Sequence, residues 1–95
     1  METWKELLED EMQERGETLA DLVANTLTDA DMVQEFDAGY GAAEGRPFTA
    51  WTANTVYFPV QYDGAEKVGS VSRHPDGKPT KHHGGGGGPP RGYPN

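Results

Sequence analysis

The chain of 95 residues has no cysteine. No disulfide can staple a small fold here, and the usage fits a reducing compartment. No long apolar run exists, which excludes a membrane-spanning helix. The start, METWKELLEDEMQER, lacks the basic opening and apolar block of a secretory signal, so the protein is expected to stay where it is made. Basic residues are scarce in the first half. Residues 1 to 45 hold thirteen acids and two bases, and residues 46 to 95 hold three acids and six bases. Phosphate backbones are bound by clustered Lys and Arg, so this distribution excludes direct nucleic-acid binding by the N-terminal half and favours basic protein surfaces instead.

What is present divides into two stretches. Residues 74–95 are rich in Gly, Pro and Lys, with GGGGGPP near the end. Such a composition cannot bury enough apolar area to offset chain entropy, so a flexible tail is expected. Residues 1–73 are then a single small domain. A core of that size contributes little net stability, which makes a dimer or a bound partner an expectation in its own right.

At 100° per residue, Trp4, Leu7, Leu8, Met12, Leu19, Leu22 and Val23 fall in one arc. The phase passes through Gly16, favouring one long helix over residues 2 to 25, bent at Gly16. The alternative is a break, with Gly16 as the C-cap and Thr18 capping a second helix three residues before Asp21. A short helix follows from Thr28, with Asp29 and Asp31 in its first turn, and ends at Gly39. From Phe48 the pattern becomes that of strands. FTAWT, TVYFPVQY and AEKVGSVSR read as three, with turns at Ala53-Asn54 and Asp63-Gly64. A two-residue Asp63-Gly64 turn sets Tyr62 opposite Ala65, Val60 opposite Lys67, Phe58 opposite Gly69 and Val56 opposite Val71. Pro59 has no N–H for a ladder, so one side of its strand must be interrupted. The expected fold is α+β: the long helix and the short one packed on a three-stranded antiparallel meander, with the long helix across the Val56/Phe58/Val60 face.

The acidic helix is the most informative feature. Glu2, Glu6, Asp10 and Glu14 recur at steps of four, with Glu9 and Gln13 beside them. Pairs Lys5–Glu9 and Glu11–Arg15 relieve only part of the repulsion. One reading is a carboxylate rail that meets a Lys/Arg-rich surface, in some cases imitating nucleic acid. The plainer reading is a solvated face that keeps a small protein soluble. Glu11 falls inside the apolar arc, with no reason in the folding pattern.

Other constellations point away from catalysis and metals. Asp29-Ala30-Asp31 serves helix capping better than a calcium loop, since the further oxygen ligands are missing. His74, His82 and His83 lie in or beside the tail, without the fixed third or fourth ligand of a zinc site. Ser70 and Ser72 stand near His74 in sequence but without a nucleophile elbow. The glycine runs lack the Lys and Ser/Thr of a P-loop. A helix-turn-helix reading of residues 14 to 32 fails on the acids Asp29 and Asp31. No catalytic residue, cofactor or metal is therefore expected. The aromatics Trp4, Tyr40, Trp51, Tyr57, Phe58 and Tyr62 exceed what so thin a core needs. Trp51 and Tyr57, off the expected core face, read as interface anchors or as cover for the second face. Arg73, Lys78, Lys81 and Arg91 give the end of the chain a basic character, able to fold back on the acidic helix or to order on a partner.

Residues 48 to about 80 resemble small hypothetical proteins of bacteriophages and prophages, through Trp51-Thr52, the VYFPV of 56–60, the YDG of 62–64 and the VGSVSRHP of 68–75. The resemblance implies a source rather than a mechanism. Small, acidic, cysteine-free phage proteins include inhibitors of host machinery, anti-CRISPR proteins among them. The expectation is a non-enzymatic interaction protein in the host cytoplasm. It would use Glu2, Glu6, Glu9, Asp10, Glu14, Trp51 and Tyr57 to occupy a basic groove of a nucleic-acid-handling host protein, and would not touch nucleic acid or membrane itself. Alternatives are a virion structural or assembly protein tethered by its tail, and a module that sequesters a small nucleotide between the hairpin and the GYG loop.

Overall fold

The computed structural model describes residues 1–39, 44–62, 64–75 and 77–80, with the backbone alone at Tyr62. Tyr40 and the centre of its glycine loop, the Asp63 half of the hairpin turn, His82, His83, Lys81, Arg91 and the tail from residue 81 lie outside the described residues, as does the nucleotide pocket expected at the GYG loop. The architecture is α+β. Helix α1 spans Trp4–Glu14, a 3₁₀ turn Leu19–Asp21, strand β1 Leu22–Asn25, helix α2 Asp29–Val33, β2 Ala50–Thr52, β3 Thr55–Tyr62 and β4 Ala65–Ser72. The strands form one antiparallel sheet in the order β1-β2-β3-β4.

The first helix is shorter than the apolar arc implied. Thr3 caps its start, accepting from the Glu6 N–H at 3.2 Å. Its end is a Schellman turn: Gly16 adopts φ +71° and donates to the Gln13 carbonyl at 3.1 Å, while Glu17 donates to Met12 at 2.9 Å. These bonds complete the last orphan carbonyls, so the chain leaves the helix there. The Thr18–Asp21 cap is present, with the Thr18 N–H on Asp21 Oδ2 at 2.8 Å, but it opens only a single turn. The chain then enters β1, a fourth strand that the periodicity concealed. Leu19 and Leu22 still pack against the core, whereas Val23 is 64% exposed. α2 is a one-turn helix held by a reciprocal cap: Asp31 N–H on Thr28 Oγ1 at 3.1 Å and Thr28 N–H on Asp31 Oδ2 at 3.0 Å.

The hairpin has the register expected from its turn, from Tyr62↔Ala65 through Phe58↔Gly69 to Val56↔Val71. β2 pairs with β3 only at Trp51↔Val56 and Ala50↔Tyr57. Pro59 therefore lies past the end of β2, where β3 has β4 alone as neighbour, and its missing N–H costs no second ladder.

The core is built on the sheet face opposite to the one the apolar alternation suggested. Ala50, Tyr57 and Val68 are buried with Trp4, Leu8 and Met12 of α1, and with Leu27, Met32, Phe36, Ala38 and Phe48. The Trp4 ring meets Phe36 and Phe48, each at a centroid distance of 4.8 Å. Its indole N–H donates to the Arg46 carbonyl at 2.9 Å. Thr52, Thr55, Glu66 and Ser70 are buried on the same face. Val56, Phe58 and Val60 belong to the other face and are only half-buried. The covered face looked too polar to be a core, and each of its polar groups is satisfied from across the interface, as follows.

Candidate functional site

Trp4, Leu8 and Met12 recur every four residues on α1, and burying them fixes the rotation of the helix. Glu6, Glu9, Asp10 and Glu14 are thereby turned to solvent. Glu6, Asp10 and Glu14 succeed one another at about 6 Å along the axis, the rise of four helical residues. Glu6 doubles as part of the N-terminal cap, with the Thr3 hydroxyl donating to its Oε1 at 3.1 Å. Glu2 does not join this row. It is half-buried and tied to Phe36 by two backbone hydrogen bonds, and its carboxylate accepts the Ala38 N–H at 3.3 Å.

The two aromatic anchors are placed differently from the expectation. Tyr57 is fully buried, so it cannot reach a partner. Its hydroxyl donates to Glu17 Oε1 at 2.5 Å, and Thr52 Oγ1 donates to Glu17 Oε2 at 2.8 Å. Burial pushes the Glu17 carboxyl up, but the bonds from Tyr57, Thr52 and Thr55 outweigh that and leave its pKa below the ordinary value. Burial, and next the bond to Glu17, push the Tyr57 phenol well above its ordinary range, so it stays a donor. Trp51 is half-buried and shares a face with Val56, on the far side of the sheet from α1. One flat partner surface cannot engage both the acidic row and Trp51.

The acids that do internal work are the ones the helical pattern could not explain. Glu11 accepts from the Ser70 hydroxyl at 2.5 Å, and Arg15 Nε donates to the same hydroxyl at 2.8 Å. Glu11 and Arg15 thus meet through Ser70 of β4 rather than as a direct pair. Glu66 accepts the N–H groups of Glu44 and Gly45, each at 2.9 Å, which clamps that loop over Trp4. The one signal of this in the sequence was Glu11 lying within the apolar arc.

Among the described residues the one ion pair is Arg46–Asp31 at 3.2 Å, so Lys5 and Glu9 do not pair. The backbone N–H of Thr28 holds the Asp31 carboxyl below its ordinary value against an opposing desolvation, and the Thr28 hydroxyl and Arg46 add to the lowering. Arg73 donates to the Thr52 carbonyl at 2.8 Å. Lys67 borders the C-terminal half of the row, in a groove with Asp10, Glu11 and Glu14. Beside it, residues 77–80 line a cleft of about 790 Å³ together with Glu11, Glu14 and Arg15, which brings Lys78 to the same end of α1. The described start of the basic segment therefore faces the C-terminal end of the acidic helix across this cleft.

Among the described residues, no group of three or more His, Asp or Glu is placed to hold a metal, and no helix is long and apolar enough to cross a membrane. No family model matches the chain, and no curated protein or solved structure is significantly similar to it.

Proposed function

We propose that this is a phage-derived, non-enzymatic interaction protein that lays the acidic face of α1 on a basic, nucleic-acid-handling host protein in the host cytoplasm and works by occupying that surface. The observation that carries the reading is the exposure of Glu6, Glu9, Asp10 and Glu14 on one rigidly docked helix, while Arg46 and Arg73 are engaged elsewhere. A rotationally fixed row of carboxylates needs no ordering on binding, which favours affinity and fast electrostatic capture. Glu2 and Tyr57 drop out of the proposed contact because the fold uses them, and Trp51 because it faces the other way.

The test is affinity capture from host lysate with the wild-type chain and with Asp10→Lys/Glu14→Lys, at low and high salt. Both positions are exposed, and Lys near the C-terminal end of α1 suits the helix dipole, so the fold should persist by circular dichroism. The expected result is a basic partner released by salt and bound at least about tenfold more weakly by the double variant. Equal binding by the two chains removes the proposal.

A further inference from the structure

The exit of the chain from β4 is fixed in direction. The Arg73 N–H donates to the Asn54 carbonyl at 2.9 Å, and Arg73 Nη1 donates to the Thr52 carbonyl at 2.8 Å. The Ser72 hydroxyl donates to the His74 carbonyl at 2.7 Å and accepts the His74 N–H at 3.2 Å, while the His74 ring lies 3.2 Å from the Ala53 carbonyl. Gly77 then takes φ +74°, where a side chain would be strained. Residues 77–80 form one wall of the cleft to which α1 contributes Glu11, Glu14 and Arg15. Lys78 is engaged within the chain rather than free. Glu11 and Glu14 also line the next groove, which runs along α1 past Asp10 to Leu7, with Lys67 and Val68 of β4 opposite.

We propose that the chain's own C-terminal segment, continuing from Thr80, occupies this groove and shields Asp10 and Glu14. The inference rests on the reading of α1 as the docking face and adds its regulation: an outside partner must displace the segment before it reaches those carboxylates.

Continuity, charge and length select this occupant. The described chain ends at Thr80, in the cleft that shares Glu11 and Glu14 with the groove. Beyond it, residues 81–95 carry Lys81, His82, His83 and Arg91 and no acidic side chain, whereas the groove sets three carboxylates against Lys67. From Glu6 to Glu14 the helix rises about 12 Å. The residues from Lys81 to Arg91 can extend over about 35 Å, so the bases reach any part of the row. Tethering decides between this segment and a foreign one. A segment attached this close meets the groove at an effective concentration on the order of millimolar, so exposed ion pairs too weak to hold a free peptide still fill it. The same weakness makes the contact displaceable. A surface more strongly basic than the segment takes its place, and a less basic one does not.

The chain lacks cysteine, so Gly85→Cys carries a spin label at a single place in the full chain. In amide NMR the label should broaden Leu7, Asp10, Glu11 and Glu14 more than Arg73 and His74 on the other side of the cleft. The excess should vanish at about 1 M salt, where the screening length falls to about 3 Å. It should vanish equally in Asp10→Lys/Glu14→Lys, and in Lys78→Gln/Lys81→Gln, which changes no core residue. An oligolysine peptide should shift the α1 amides and release the broadening together. Broadening centred on the cleft, and unchanged by salt or by either pair of substitutions, overturns the proposal. So does an excess that oligolysine does not reduce. None of these readings uses a host protein. A lysate without a partner leaves the segment in its groove, and a groove without the segment leaves the docking reading intact, so the two fail separately.

Discussion

β3 sends Tyr57 to one side of the sheet and Phe58 to the other. Tyr57 is fully buried beneath α1 with its hydroxyl bonded to Glu17, whereas Phe58 is half-buried on the opposite face of the sheet, outside the core cluster. Judged by hydrophobicity, the second face is the better core, with Val56, Phe58 and Val60 in line. The first face carries Thr52, Thr55, Tyr57, Glu66 and Ser70, all buried. It is the covered one because α1 and the segment after it supply matching partners: Glu11 and Arg15 for Ser70, and Glu17 for Tyr57 and Thr52. A buried polar group costs little when its hydrogen bonds are made, and a satisfied network specifies which surfaces meet. Apolar residues alone would not have discriminated between the two faces.

The sharpest way to break this contrast is to truncate one side chain on each side. Leu8→Ala, under α1, leaves a cavity in the core and should cost about 2–5 kcal/mol, a large part of the stability of so small a domain. Val60→Ala on the opposite, half-buried face should cost under about 1 kcal/mol. Urea unfolding measures both. Equal losses would mean that the face of Val60 is a second core.

Which parts were legible follows from how local their causes are. The β3–β4 register came from the Asp63-Gly64 turn, and Pro59 announced a strand interrupted on one side, by an edge, a bulge or a bend. The helical period placed Glu6, Glu9, Asp10 and Glu14 together on a solvent face, because Trp4, Leu8 and Met12 fix the rotation. β1 was hidden because Leu19, Leu22 and Val23 keep helical phase by coincidence. The Schellman turn at Gly16 overrides it with two hydrogen bonds. The sides taken by Trp51 and Tyr57 depend on which face α1 chooses, a tertiary decision made by Glu11, Glu17 and Ser70 that no local pattern contains.

A smaller effect tests the polar side of the contrast. Tyr57→Phe removes one of the donors to Glu17 and should cost about 1.5–3 kcal/mol, the range for hydrogen bonds to a charged group. The loss should depend on pH. The folded pKa of Glu17 lies below its ordinary 4.5, so the folded state binds fewer protons than the unfolded chain in that region. The carboxylate's contribution is complete above the unfolded value and is lost as pH falls through the lower, folded value. Tyr57→Phe should therefore be most destabilising near neutral pH, with the gap to wild type closing on the acid side. Urea midpoints from pH 7 downwards measure this. A gap constant with pH would make Tyr57 a packing residue and would return the choice of face to hydrophobicity.

The smallest effect belongs to the pair that lies outside both networks. Arg46 meets Asp31 at 3.2 Å, but its side chain is 67% exposed, so water and salt compete for it on most sides. Arg46→Ala should move the urea midpoint within the scatter of the measurement. Asp31→Ala should move it visibly further, because the same carboxylate accepts the Thr28 N–H that starts α2. The two partners of one ion pair then differ for a reason unconnected with their mutual attraction. If they proved equal, and both effects vanished at high salt, the pair itself would be holding α2 against the loop that Glu66 clamps. Polar contacts on the solvent side would then rank with those beneath α1, and the rule that separates the two faces would fail.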